Sequence, residues 1–146
     1  MMVGDGPERP AAEDLARHLG VASDVSFVGR QEQMEDIMNV SDIFLLTSDY
    51  ESFGLSALEA MAARSIVIST NAGGLPEINI DGVTGFMANV GDVDTMSKQA
   101  IAVLKDEVLL AKMKEQAFEQ ANKFSLENII PIYEKMYSKY CRMDCA

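Results

Sequence analysis

Residues 43–59 read Ile43-Phe44-Leu45-Leu46-Thr47-Ser48-Asp49-Tyr50-Glu51-Ser52-Phe53-Gly54-Leu55-Ser56-Ala57-Leu58-Glu59: an apolar run, a polar turn and the start of a helix. The four consecutive apolar residues have the pattern of a strand buried on both faces in a parallel sheet. From Gly54 onward, Leu55, Ala57, Leu58, Ala60, Met61, Ala62 and Ala63 leave only Ser56 and Glu59 polar, so the helix is expected to pack on both sides. At ~100° per residue, Glu59 falls at the edge of the stripe made by Leu55, Leu58 and Ala62. A carboxylate there calls for a partner, because burying it unpaired is costly: a salt bridge, a cap on a neighbouring element, or a ligand hydroxyl in a cleft. Glu51 and the Ser-Phe-Gly turn sit at the carboxyl end of a strand and the amino end of a helix. Open α/β sheets place ligands there, and unpaired N–H groups attract phosphate, so the cleft is favoured.

The flanking sequence continues the alternation. A helix over about Pro7 to Leu19 stops at Gly20. A strand near Val25 to Val28 follows, then a helix near Gln31 to Val40 with Met34, Ile37 and Met38 on one face. Beyond the glutamate helix, Ile66-Val67-Ile68 is another buried strand, and Leu75-Pro76-Glu77 opens a short helix behind Gly73-Gly74. Asp81-Gly82 and Gly85 frame a turn and a short strand, and the chain is mainly helical from Val93. Repeated strand–helix units predict an α/β fold: a Rossmann-like parallel sheet with helices on both faces and right-handed crossovers.

Composition limits the functions to consider. A chain of 146 residues with 48% hydrophobic content can build one core. No run approaches the roughly 18 apolar residues of a membrane span, and Met1-Met2-Val3 does not begin a signal peptide, so a cytoplasmic location is expected. Twelve basic against 23 acidic residues leave a net charge of −11, which argues against general nucleic-acid binding. His18, near a helix end, suits a cap or an exposed position. Cys141 and Cys145 lie four apart in the tail, and no His or Cys cluster completes a zinc site. The ten Met residues fall largely at core-like helical spacings.

The stretch from Ser41 to Ala62, with Glu51 and Glu59 separated by seven residues, followed by Ser69-Thr70-Asn71-Ala72-Gly73-Gly74-Leu75-Pro76-Glu77, resembles the donor-binding motif of GT-B glycosyltransferases of the family 4 type. The likeness runs from Val3-Gly4-Asp5-Gly6-Pro7-Glu8 through Val25-Ser26-Phe27-Val28-Gly29 to Asp81-Gly82-Val83-Thr84-Gly85-Phe86. Asn89-Val90-Gly91-Asp92-Val93 and Ile130-Pro131-Ile132-Tyr133-Glu134 are similar to the N-acetylglucosaminyl L-malate synthase branch of that family, which serves bacillithiol biosynthesis. The resemblance implies one partial domain over residues 1–146, the later part of the carboxy-terminal half of a GT-B fold. The amino-terminal acceptor domain, the first βα unit and its phosphate-binding basic segment would then lie outside this sequence.

The resemblance also implies roles. Glu59 would accept hydrogen bonds from the ribose hydroxyls of a nucleotide, two acceptor oxygens meeting a vicinal diol; the alternative is an internal salt bridge. Glu51, the candidate catalytic residue, would bond the transferred sugar; the alternative is a carboxylate that only complements the helix dipole. Ser52, Phe53, Gly54 and Leu55 would line the donor site, the last three through backbone N–H groups, with Gly54 permitting close approach. Arg30 and Gln31 would border the uracil, Arg30 and Arg64 are the cations nearest the expected cleft, and Gly73 and Gly74 line the site at most. The implied reaction is retaining transfer from UDP-N-acetylglucosamine to the hydroxyl of L-malate, with no cofactor and no D-x-D metal site assigned. A non-catalytic nucleotide-binding module and a self-associating structural fragment remain the rival readings. One departure stands out: Arg64 occupies a position that is usually glycine, and a left-handed backbone there would cost roughly 1 kcal/mol.

Overall fold

The computed structural model describes residues 1–141 and divides them into two compact units, Met1–Met34 and a second beginning at Glu35. In the first unit, strand β1 (Met2–Val3) pairs in parallel with β2 (Phe27–Gly29), and helix α1 (Arg9–His18) forms the crossover. Pro10 sits in the first turn of α1, where its missing N–H costs nothing, so the helix starts two residues after Pro7. Gly20, at φ +73°, ends it: the Gly20 N–H donates to Arg17 O and the Val21 N–H to Ala16 O, a Schellman closure. Arg9 ties the helix to the strand, donating to Glu13 Oε1 at 2.8 Å and to Phe27 O at 3.4 Å. His18 lies exposed in the last turn, a favourable place for a cation.

The second unit is built on a three-stranded parallel sheet in the order β3 (Ile43–Leu46), β4 (Ile66–Thr70), β5 (Gly85–Ala88). Helices α2 (Met34–Asn39), α3 (Leu55–Ala62) and α4 (Leu75–Ile78) punctuate the strands, and α5 (Val93–Leu104), α6 (Glu107–Asn122) and α7 (Leu126–Cys141) follow. All five residues of β4 are buried. Side chains alternate across a strand, so Ile66 and Ile68 share one face, packing with Val103 and Met113 and with Met96 and Ala88 respectively. On the other face Ser69 Oγ accepts from Asn79 at 3.1 Å. Asn79 is fully buried and also donates to Val67 O and Phe86 O, while its Oδ1 accepts from Thr84. This amide holds the backbones of β4 and β5 together where apolar side chains could not.

Two expectations are corrected here. β3 is not buried on both faces: Leu45 is 57% exposed. Within this sheet β3 is an edge strand, covered less completely than β4. Nor is α3 packed all round. Ala57, Ala60 and Met61 have no exposure, whereas Leu55 is 65% exposed and Glu59 and Ala62 also face outward. Alanine stands on both faces, so composition concealed an amphipathic helix. The methionines divide similarly: Met38, Met61, Met96 and Met113 are buried, and Met136 on α7 is not. Among the described residues no helix is long and apolar enough to cross a membrane, and Cys141 is exposed; Cys145 lies outside them.

Candidate functional site

The turn between β3 and α3 is held by a backbone hydrogen bond together with two side-chain contacts. Gly74 N–H donates to Glu51 O at 3.1 Å. A Cβ on Gly73 would sit 1.6 Å from Glu51 O, and one on Gly74 2.7 Å from Ser52 O, so a chain bearing side chains at 73 and 74 could not approach this turn. Upstream, the buried Thr70 Oγ1, at the carboxyl end of β4, donates to Ser48 O at 2.7 Å. Downstream, the Phe53 ring meets Phe124 edge-on with centroids 6.1 Å apart, anchoring the turn to the α6–α7 junction. The segment is therefore fixed at Ser48, Glu51, Ser52 and Phe53.

Gly54 then takes φ +95° at the N-cap of α3. The close approach it permits is to the protein itself, since a Cβ there would lie 2.7 Å from Leu75 and 3.0 Å from Ile78. Its carbonyl accepts from the Ala57 and Leu58 N–H groups, while those of Leu55 and Ser56 find no backbone acceptor among the described residues. Those free donors are what an anion at a helix start requires.

Glu51 is half-buried, Glu59 is exposed, and neither carboxylate has an ion pair or hydrogen bond among the described residues. The salt-bridge alternative for Glu59 is thus absent there. The reason for expecting a partner changes too: an exposed Glu59 is hydrated, so desolvation does not demand one. Glu59 shares the outward face of α3 with Leu55 and Ala62, four and three residues away, a carboxylate on a small apolar strip.

Arg64 does not serve this end of α3. It follows the opposite terminus, about 12 Å along an eight-residue helix, where its guanidinium pairs with Glu115 and lies 4.1 Å from the centroid of the Phe118 ring. Arg30 and Gln31 belong to the first unit. Both are exposed, and the Gln31 amide donates to Val28 O at 2.6 Å.

Sequence reasoning missed Thr70 and undervalued Gly73 and Gly74. Consecutive glycines just past a strand signalled the close approach, whereas nothing local marked a hydroxyl that reaches 22 residues back. An Asp-x-Asp triplet does occur, at Asp92-Val93-Asp94, but it is a helix start. Asp92 caps α5, accepting from the Thr95 N–H at 3.0 Å and the Thr95 hydroxyl at 2.8 Å, and these bonds hold its carboxyl below the usual range.

A profile of the family "Glycosyl transferases group 1" matches residues 1–120. N-acetyl-alpha-D-glucosaminyl L-malate synthase of Bacillus anthracis is 41% identical over 145 residues, 99% of this chain and 38% of that protein. Sucrose-phosphate synthase from Thermosynechococcus elongatus superposes with a TM-score of 0.85 at 26% identity, over 97% of this chain and 38% of the other. Anabaena HepE in complex with UDP and glucose gives 0.82 at 27%, over 93% and 39%. The chain spans between 30% and 40% of the length of curated relatives it matches.

Proposed function

Because the chain belongs to the glycosyl transferases group 1 family, with the GT-B architecture of its structural neighbours, we propose that it forms the donor-binding part of a cytoplasmic, retaining glycosyltransferase of bacillithiol biosynthesis. The whole enzyme would transfer N-acetylglucosamine from UDP-N-acetylglucosamine to L-malate. The bond between the anomeric carbon and the diphosphate oxygen breaks, the malate hydroxyl oxygen takes that carbon on the same face, and UDP departs with the proton that the hydroxyl releases. One observation carries this reading: two carboxylates unpaired among the described residues, Glu51 and Glu59, flank N–H groups, likewise without a backbone acceptor there, at a helix start that follows a parallel strand. Glu59 receives the ribose diol, Glu51 the sugar hydroxyls, and the backbone from Ser52 to Leu55 faces the diphosphate. No metal or cofactor is assigned, and catalysis rests on positioning and on stabilising the departing diphosphate.

Several supports come from relatives. The Bacillus anthracis synthase is the basis for both donor and acceptor, and the Anabaena complex supports a uridine nucleotide. In a full-length enzyme of the relatives' size, the cationic partners of the diphosphate and the acceptor domain would come from outside these residues, a reading prompted by the chain spanning 38% of the Bacillus anthracis protein. A fragment of this extent turns over negligibly. A second reading, self-association, draws on α7, none of whose residues is buried; a mass that rises with concentration would favour it.

Calorimetric titration of UDP and UDP-N-acetylglucosamine at low salt, with Glu59→Ala beside the unaltered chain, tests the donor site. Loss of charge-assisted hydrogen bonds should weaken binding at least about tenfold. Equal binding by both proteins would sink the ribose role of Glu59. Binding of UDP with no gain from the sugar would favour a nucleotide-binding module.

A further inference from the structure

Thr70 lies in the Ser69–Glu77 stretch that follows the two glutamates but has no role assigned to it there; it is 1% exposed and its hydroxyl is committed to one contact outside its own strand, the carbonyl of Ser48 at 2.7 Å. Ser48 begins the turn that ends at Gly54, and three residues later Glu51 O receives the Gly74 N–H. Thr70 and Gly74 stand four residues apart on the segment leaving the central strand, so one rigid stretch grips the turn at two points. The β3–β4 ladder ends at the Leu46–Ser69 pair, and the Thr70 contact carries the constraint one step further, to Ser48, between the ladder and the Gly74 contact. We propose that Thr70 is a positioning residue, fixing the direction in which the Glu51 side chain leaves the turn. A hydroxyl is required because valine, of nearly the same shape, would leave Ser48 O without its donor, whereas serine retains it.

This inference rests on the donor-site reading for its functional consequence, but not for its structural content. Thr70→Val, Thr70→Ser and the unaltered chain would be compared by amide hydrogen exchange and by calorimetric titration with UDP-N-acetylglucosamine. With valine, exchange at the Gly74 amide should accelerate about tenfold and donor binding should weaken by a similar factor, while the Ile68 amide in β4 keeps its protection. Serine should restore both. Unchanged Gly74 exchange with valine, or equal loss with serine, would overturn the proposal. Should the valine protein not fold, Thr70→Ala against Thr70→Ser makes the same comparison. If the unaltered chain binds no donor, these residues do not hold the donor by themselves, and Gly74 exchange still decides whether Thr70 holds the turn.

Discussion

Helices α3 and α7 are both rich in apolar residues and differ in fate. In eight residues α3 brings Ala57, Ala60 and Met61 to zero exposure, whereas the sixteen residues of α7 bury none. On α7, Leu126, Ile129, Tyr133, Met136 and Tyr140 recur at three- and four-residue spacing, and Ile129, Ile132, Tyr133 and Met136 line an open groove of 380 Å³. The difference lies in neighbours. α3 packs against β3, β4 and α6, so its small residues let backbones come close; α7 has large side chains and no comparable surface against it among the described residues. Composition sets what a helix could bury, and its surroundings set what it does bury.

The strongest way to break the α3 arrangement is at the turn that feeds it. Gly73→Ala would drive a methyl into Glu51 O, a backbone atom that cannot step aside, and should cost about 4 kcal/mol or more in denaturant unfolding. An alanine at 73 that left stability unchanged would show that the turn is free to move. A matched pair then tests the helices directly. Met61→Ala empties a fully buried site and should cost about 2 to 5 kcal/mol, while Met136→Ala on α7, starting 46% exposed, should cost less than about 0.5 kcal/mol. Similar losses at the two sites would mean that α7 is covered in solution.

The same contrast explains what could be read from the sequence. The order of strands and helices was legible because each unit carries its own punctuation: Gly20 after α1, Gly73-Gly74 and Pro76 around α4, and an apolar run for β4. The exposure of Glu59 was not, since alanines stand on both faces of α3 and only a packed neighbour distinguishes them. Likewise Leu45 reads as buried in a run identical in character to β4, and its exposure follows from β3 lying at the edge of its sheet. Thr70 and Asn79 were invisible for another reason. Their value lies in carbonyls 22 and 12 residues distant, which no local pattern encodes.

Arg64 gives the finest test, at the far end of α3. The closure there repeats that of α1: Arg64 N–H donates to Met61 O and Ser65 N–H to Ala60 O, with Arg64 itself left-handed at φ +61°. Gly20 adopts that conformation freely, but an arginine pays about 1 kcal/mol for it. Against this cost stand its contact with the Phe118 ring, about 0.5 to 1 kcal/mol, and a half-exposed pair with Glu115 that contributes little. Arg64→Ala keeps the backbone cost and loses both contacts, so unfolding should become easier by about 1 kcal/mol. Arg64→Gly loses the same contacts and relieves the backbone, so it should fall within about 0.5 kcal/mol of the unaltered chain. The two truncations thus separate conformational cost from side-chain contact at a single position. If glycine proved as damaging as alanine, the left-handed turn would not be costing arginine anything, and the contacts with α6 would be what holds this corner of α3 in place.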